Sequence, residues 1–230
     1  MNGYGDCLKC RSFSKSIFGG LEGSVVSAKV SCNSVSINFK KGQDIYQEGE
    51  PARGVFCIQQ GKVKLYKKCA DRNLITGLAG NSDFLGYQSL FNGAGYIQSA
   101  KCLEDSRICF IPRKVFMELA SSQQEMVTAM LRLSCSENKK LSEILRDLKC
   151  KNMLSRVAMA LIAVGEKFGY DDNKCLDITL TRKDISELSG TTTASAIRIL
   201  NDLKREKVIS FCGKRVRIHD ATRLLRYQKR

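Results

Sequence analysis

Between residues 36 and 112, short apolar runs rich in β-branched and aromatic residues alternate with glycine-bearing breaks. The runs are Ser36–Phe39, Gly54–Ile58, Lys62–Tyr66, Leu74–Leu78 and Arg107–Ile111. The breaks fall at Lys41-Gly42, Glu48-Gly49-Glu50-Pro51, Gln60-Gly61 and Gly93-Ala94-Gly95. This pattern predicts strands joined by turns, and a strand spacing of roughly ten residues suggests a small barrel or jelly roll. From residue 113 to 150 glycine disappears and helix formers dominate. Val127, Leu131, Ser134, Asn138, Leu141, Leu145 and Leu148 recur at alternating spacings of four and three, a heptad seam. Ser134 and Asn138 weaken such a seam but help to fix its register. One reading is a core helix packed on its own domain. The polar flanks Lys139, Lys140, Glu143, Arg146 and Asp147 favour a dimerisation helix paired with a second copy.

After residue 150 the pattern changes again. Leu154–Phe168 predicts an amphipathic helix ending near Gly169, followed by a loop at Asp171-Asp172-Asn173 and a short strand over Cys175–Leu180. Thr181 is placed to cap the next helix, with Asp184 reaching back as in a capping box. Ile185 and Leu188 face inward, and Gly190, in Ser189-Gly190-Thr191, suits the positive φ of a tight helix–helix corner. Thr192 caps a second helix running to about Lys204. Its buried face carries Ala196, Ile199, Leu200 and Leu203, and Thr193, Ala194, Ile197 and Arg198 lie on the other side. Val208–Phe211 and Val216–Ile218 then alternate like strands around Cys212-Gly213-Lys214-Arg215, and the chain ends in a basic tail. Together these elements form a helix-turn-helix with a wing, a motif whose second helix enters the DNA major groove by its N-terminal half.

Charge sharpens this reading. The chain carries 38 Lys and Arg against 23 Asp and Glu, a formal net charge of +15. Residues 181–230 hold 13 of the cations against 5 acids, so this segment alone carries +8. A concentrated positive charge suits a polyanionic partner such as double-stranded DNA. Arg198 is the candidate for base readout, because a guanidinium binds guanine O6 and N7 together. The alternative for Arg198 is a surface salt bridge to Asp202, four residues on. Thr181, Arg182, Lys183, Thr192, Thr193, Ser195 and Lys214 are candidates for contact with the DNA backbone or groove, with Lys214 and Arg215 at the tip of the wing.

Eleven cysteines, irregularly spaced, argue against a disulfide scaffold. Only Cys7-Leu8-Lys9-Cys10 has a spacing suited to ligation or redox chemistry. A thiol–disulfide exchange protein built on Cys7 and Cys10 is one competing reading. It is disfavoured because such a pair belongs at a helix N-terminus in a β-α-β setting, whereas here an all-β region follows. A ligand-binding module without DNA is another, opposed by the +8 segment. No apolar run reaches 18 residues and Met1–Cys10 is polar, so the expected location is the cytoplasm. The expected class is α+β, non-enzymatic, with an N-terminal cysteine-bearing segment (1–35), a β-roll or jelly roll (36–112), a dimerisation helix (113–150) and a winged helix-turn-helix (151–230).

In this order the motifs resemble the catabolite-activator/FNR (Crp/Fnr) family of bacterial transcription regulators. Gly42-Gln43-Asp44-Ile45-Tyr46, Gly49 and Gly61-Lys62-Val63 resemble the effector β-roll of that family. Asp83-Phe84-Leu85-Gly86 opens the phosphate-binding segment, Met130–Ser134 resembles the dimerisation helix, and Leu180–Ile185 with Gly213-Lys214 resembles the DNA-binding domain. The resemblance implies a homodimer, double-stranded DNA and RNA polymerase as partners, and an effector pocket at Gly86, Tyr87, Gln88, Ser89, Gln98 and Ser99. Cyclic-nucleotide members carry Glu where this chain has Tyr87 and Arg where it has Gln98. That Arg neutralises the cyclic phosphate and that Glu holds the ribose 2′-OH, so tight cAMP binding is not expected. Oxygen-sensing members hold an iron–sulfur cluster with four cysteines. Cys7, Cys10 and Cys109 match three of these positions, but the remaining one falls on Ser16, a poor iron ligand. A cluster, a redox disulfide and two cysteines without function therefore all stay open. So does the operator sequence, because Ala194 stands where many members carry a Glu that accepts from cytosine N4.

Overall fold

The computed structural model describes residues 25–70 and 72–228. Among these, two four-stranded sheets and a two-stranded ribbon accompany the helices. The chain divides into two compact units. Among the described residues, one comprises those up to Leu65 together with Ala79–Lys139, and the other comprises those between Tyr66 and Leu78 together with those from Lys140 onward.

The chain enters through helix α1 (Val25–Asn33), in a segment from which no helix was expected. Strands β1 (Val35–Phe39), β2 (Asp44–Tyr46), β3 (Gly54–Gln60), β4 (Val63–Lys68), β5 (Asn73–Ala79) and β6 (Phe84–Leu85) follow, then helix α2 (Tyr87–Asn92) and strands β7 (Ser99–Cys102) and β8 (Ser106–Pro112). The sheets run β1-β8-β3-β6 and β2-β7-β4-β5. Strand β3 lies between β8 and β6 and is buried over five consecutive residues, Gly54–Ile58, as a strand covered on both faces must be. Val55, Ile58, Val63, Ala100, Ile108 and Ile111, at most 1% exposed, form the centre of the core of this unit. Helix α3 (Arg113–Ser122) adds the fully buried Phe116, whose ring lies 6.4 Å from that of Phe84.

The single helix expected over 113–150 is two. Helix α4 (Gln124–Cys150) starts anew after Gln123, which is extended at φ −127° and ψ 97°. No Pro or Gly marks the break. The hydroxyls of Ser121 and Ser122 donate back to the Glu118 carbonyl at 2.9 and 3.0 Å, local bonds that compete with helix continuation.

In the second unit, helix α5 (Met153–Phe168) packs against helices α6 (Arg182–Ser189), α7 (Thr193–Arg205) and α8 (Ala221–Gln228). The Asn152 side chain caps α5 by accepting from the Ser155 N–H at 2.9 Å. Val157, Ala158, Leu161, Val164, Ile185, Leu200 and Leu203 are buried between these helices. The expected strand over Cys175–Leu180 is absent. That stretch makes only isolated bridges, Tyr170 to Leu176 and Cys175 to Arg217. Its backbone partners are split, because Leu176 N–H donates to Val216 while Asp177 N–H donates to Gly169. The wing is the hairpin of β9 (Ile209–Cys212) and β10 (Arg215–Ile218), with Val216 opposite Phe211. The expected basic tail is largely α8, held by Leu224 in the core and by Arg223 on Glu206 at 2.6 Å. Among the described residues no helix is long and apolar enough to cross a membrane.

Candidate DNA-reading surface and effector segment

The start of α6 is built by side chain to backbone bonds within four residues. Thr181 Oγ1 accepts from Asp184 N–H at 3.0 Å and donates to Asp184 Oδ2 at 2.7 Å, while Thr181 N–H donates to the same carboxylate at 2.9 Å. This is the capping box the sequence predicts. Thr181→Ala removes it, and thermal unfolding is expected to show a loss of about 1 kcal/mol, with Thr181→Ser close to the parent. The corner at Gly190 has φ +60° and ψ 33°. A Cβ there would run into the Leu148 side chain, so both backbone and packing require glycine. The chain then re-enters helix at Thr192, whose Oγ1 accepts from Ser195 N–H at 3.2 Å.

The corner fixes which side of α7 is inside. Ala196, Ile199, Leu200 and Leu203 are buried, while Thr192, Thr193, Ala194, Ile197 and Arg198 are exposed. Arg198 makes no ion pair among the described residues. Its alternative partner, Asp202, accepts instead from Arg205 at 2.7 Å. Thr193 Oγ1 lies 3.1 Å from Ser186 Oγ, and Ser195 Oγ accepts from Thr192 at 3.0 Å. These hydroxyls therefore stiffen the corner in the free protein.

The other predicted cations separate into two groups. Lys183 is largely exposed, with the Glu187 carboxylate 3.9 Å away, and Lys214 is exposed at the hairpin tip. Arg215, expected beside Lys214 at the tip, is instead a brace that donates to Asp171 at 2.8 Å with Asp177 3.8 Å away. Asp171 is held below the usual carboxylate range, first by the Cys175 N–H and then by Arg215. Arg182 stacks on the Phe211 ring at 3.9 Å, which locks the start of α6 to the wing, and partial burial lowers its pKa. Stacking leaves the in-plane N–H groups of a guanidinium open to phosphate. Sequence reasoning missed the Phe211 contact, since nothing local signals a pair 29 residues apart.

In the first unit, Gly86 turns the chain into α2 at φ +80°, where a Cβ would stand 2.8 Å from the Tyr96 ring. Tyr87 and Ser89 on α2 and Ser99 on β7 are buried, and Gln88 and Gln98 are half-buried. Ser89 Oγ accepts from Ile97 N–H at 3.1 Å and Ser99 Oγ from Glu48 N–H at 2.9 Å. Tyr87 reaches the long helix instead. Its hydroxyl donates to Glu137 at 2.7 Å and lies 3.2 Å from Ser134 Oγ, while Gln88 also donates to Glu137 at 2.7 Å. Burial, more than any other influence, raises the Tyr87 phenol above its ordinary pKa and keeps it a neutral donor. Behind this segment Tyr46 stacks on Tyr96 at 4.0 Å, and the Tyr96 hydroxyl donates to the Gly54 carbonyl. Glu137, Tyr46 and Tyr96 were not among the predicted site residues.

Along α4, Leu131, Leu141 and Leu145 are 61%, 46% and 71% exposed, and Asn138 is exposed with them. Val127 is partly buried against the core of the first unit, and Leu148 lies against Gly190. Cys109 is 3% exposed in the core, directly opposite Cys57 on β3. The predicted positions Cys7, Cys10 and Ser16 lie outside the described residues. Among the described residues no group of three or more potential ligands could hold a metal ion.

Comparison with known proteins matches residues 36–123 to the cyclic nucleotide-binding domain and residues 155–227 to the Crp-like helix-turn-helix domain. The chain belongs to the Crp/Fnr family of DNA-binding transcription regulators. It is 28% identical over 91% of its length to the CRP-like cAMP-activated global transcriptional regulator of Mycobacterium tuberculosis, of which 95% is covered. It is 26% identical over 81% of its length to the fumarate and nitrate reduction regulatory protein of Vibrio cholerae, of which 75% is covered. These relatives are regulators, not enzymes. In fold the chain resembles FixK2 from Bradyrhizobium japonicum, with a TM-score of 0.75 at 21% identity, covering 84% of this chain and 96% of that one. It also resembles the c-di-GMP-responsive regulator CLP of Xanthomonas campestris, with a TM-score of 0.74 at 16% identity, covering 84% and 97%. The β-roll, long helix and winged helix-turn-helix of this Crp/Fnr chain thus match the fold class read from its sequence.

Proposed function

We propose that this chain is a cytoplasmic, homodimeric regulator that binds a two-fold symmetric DNA site and answers a small-molecule or redox signal through its β-roll. The observation that carries the reading is Arg198. It stands exposed on the second helix of the motif, without an ion pair among the described residues and with Asp202, the alternative partner at i+4, bound to Arg205. The leucine stripe of α4 supplies the surface for the second copy. RNA polymerase is the partner such a dimer meets once bound beside a promoter.

The signal is not cAMP. The two positions that would neutralise the phosphate and hold the ribose are Gln98 and Tyr87, and Tyr87 is already bonded to Glu137. A cyclic phosphate placed here would lose a charge-assisted contact and meet a buried phenol. Tyr87, Gln88 and Glu137 instead link the effector segment directly to the dimer helix, a route by which a change in the roll shifts the balance between two dimer geometries.

Selection of bound duplexes from a random pool tests the reading. The expected product is an inverted repeat with half-site centres about 10–10.5 base pairs apart, or a multiple of that. Affinity for it should fall steeply with salt and stay unchanged when cAMP is added. Absence of any enriched sequence overturns the DNA reading, and tighter binding with cAMP overturns the effector reading.

A further inference from the structure

We propose that Ala194 and Ile197 read thymine methyl groups beside the guanine taken by Arg198, so that the half-site pairs a guanine with flanking thymine. This rests on the DNA reading above and specifies what the recognition helix selects. Ile197 is 41% exposed on the flank of α7, outside its buried stripe, and Ala194 is exposed on the side opposite that stripe. Ala194 lies one turn earlier, at the spacing that sets it beside both Ile197 and Arg198. A single exposed isoleucine would mean little. Here two apolar side chains occupy neighbouring helix positions beside a guanidinium that has no ion pair among the described residues, within a segment carrying +8. That charge commits the surface to a polyanion.

The chemistry of the groove then selects the base. In the major groove thymine presents its C5 methyl, cytosine an N4–H donor in need of an acceptor, and adenine an N6–H donor beside N7. Ala194 and Ile197 have no acceptor to offer. Cytosine or adenine against them would lose the water on its donor and gain no partner. Only thymine offers the strip an apolar surface. Thr192 and Ser195 hydrogen-bond each other and Thr193 lies against Ser186, so the apolar pair is the most distinctive feature of this face beside Arg198.

The test uses the full-length protein and the duplex it selects. Each thymine of the half-site is replaced in turn by deoxyuridine, which removes the methyl and nothing else. The expected result is about fourfold weaker binding at one or two positions adjacent to the guanine, in line with the loss of one buried methyl. In Ile197→Ala the same replacement should be nearly silent at the position Ile197 touches, as a double-mutant cycle requires. Cytosine there should bind less well than uracil, and 5-methylcytosine better than cytosine. An enriched site that binds equally with uracil at every position overturns the proposal and leaves the DNA reading intact. So does a uracil effect of undiminished size in both Ile197→Ala and Ala194→Gly. Failure to enrich any sequence overturns both.

Discussion

Arg198→Ala should lose about 1–3 kcal/mol of discrimination, roughly 5- to 150-fold in affinity for the selected duplex, while binding to a scrambled duplex changes little. The argument starts from the free protein. A guanidinium already paired would have to break that pair before reaching a base. Arg198 has none among the described residues, because Arg205 takes Asp202 at 2.7 Å. Its loss therefore removes only the contact made in the complex. The comparison is Lys214→Ala at the hairpin tip, where Gly213 turns the chain and an exposed ammonium faces outward. A phosphate contact carries charge and no sequence information, so Lys214→Ala should weaken both duplexes alike and reduce the salt slope by about one. Fluorescence anisotropy at several salt concentrations, on specific and scrambled duplexes, separates the two. If Arg198→Ala weakens both duplexes equally, Arg198 is a phosphate contact and base readout lies elsewhere.

The helix-turn-helix was legible because its structure is local. The Thr181–Asp184 box spans four residues, Gly190 carries its own signal, and the Thr192 cap is closed by Ser195. No tertiary information is needed to see them. The wing was half legible. Its hairpin follows from alternation around Gly213, but Arg215 could not be told from Lys214 until Asp171, 44 residues back, was in place to receive it. Arg182 is similar, since its cap-adjacent position suggested phosphate and its stacking on Phe211 is a tertiary fact.

The roll shows the same division. Its long strands were visible, whereas β2, β6 and β7, each of two to four residues, were not. Strands that short carry too little periodicity and exist because of a distant partner, as Asp44 pairs with Lys101. Helix α8 was hidden by its charge, although Leu224 and Tyr227, three apart and both buried, are the stripe that could have shown it. In the effector segment the departures at Tyr87 and Gln98 were plain, and they set the expectation against tight cAMP binding. What Tyr87 does instead depends on Glu137, 50 residues on.

Leu145→Glu should convert the dimer to a monomer at micromolar concentration, and affinity for the inverted repeat should fall by about 100-fold or more as the second half-site no longer binds in the same event. Within one chain Leu145 is 71% exposed and Leu131 61% exposed, so neither contributes much to its own fold. A glutamate at position 145 should leave helix content intact, as circular dichroism would show. In a two-fold pair the same substitution occurs twice across one interface, placing two carboxylates where apolar surface should meet. Burying unpaired like charges costs more than a seam of a few leucines returns. Leu145→Met keeps the volume and should remain dimeric. Sedimentation velocity on both variants decides between the two readings of the heptad. Ser134 already shows why the seam is mixed, since its hydroxyl lies 3.2 Å from the Tyr87 phenol of its own chain. If Leu145→Glu still sediments as a dimer, the exposed stripe is not the interface, and the link from Tyr87 through Glu137 ends on a helix that joins nothing.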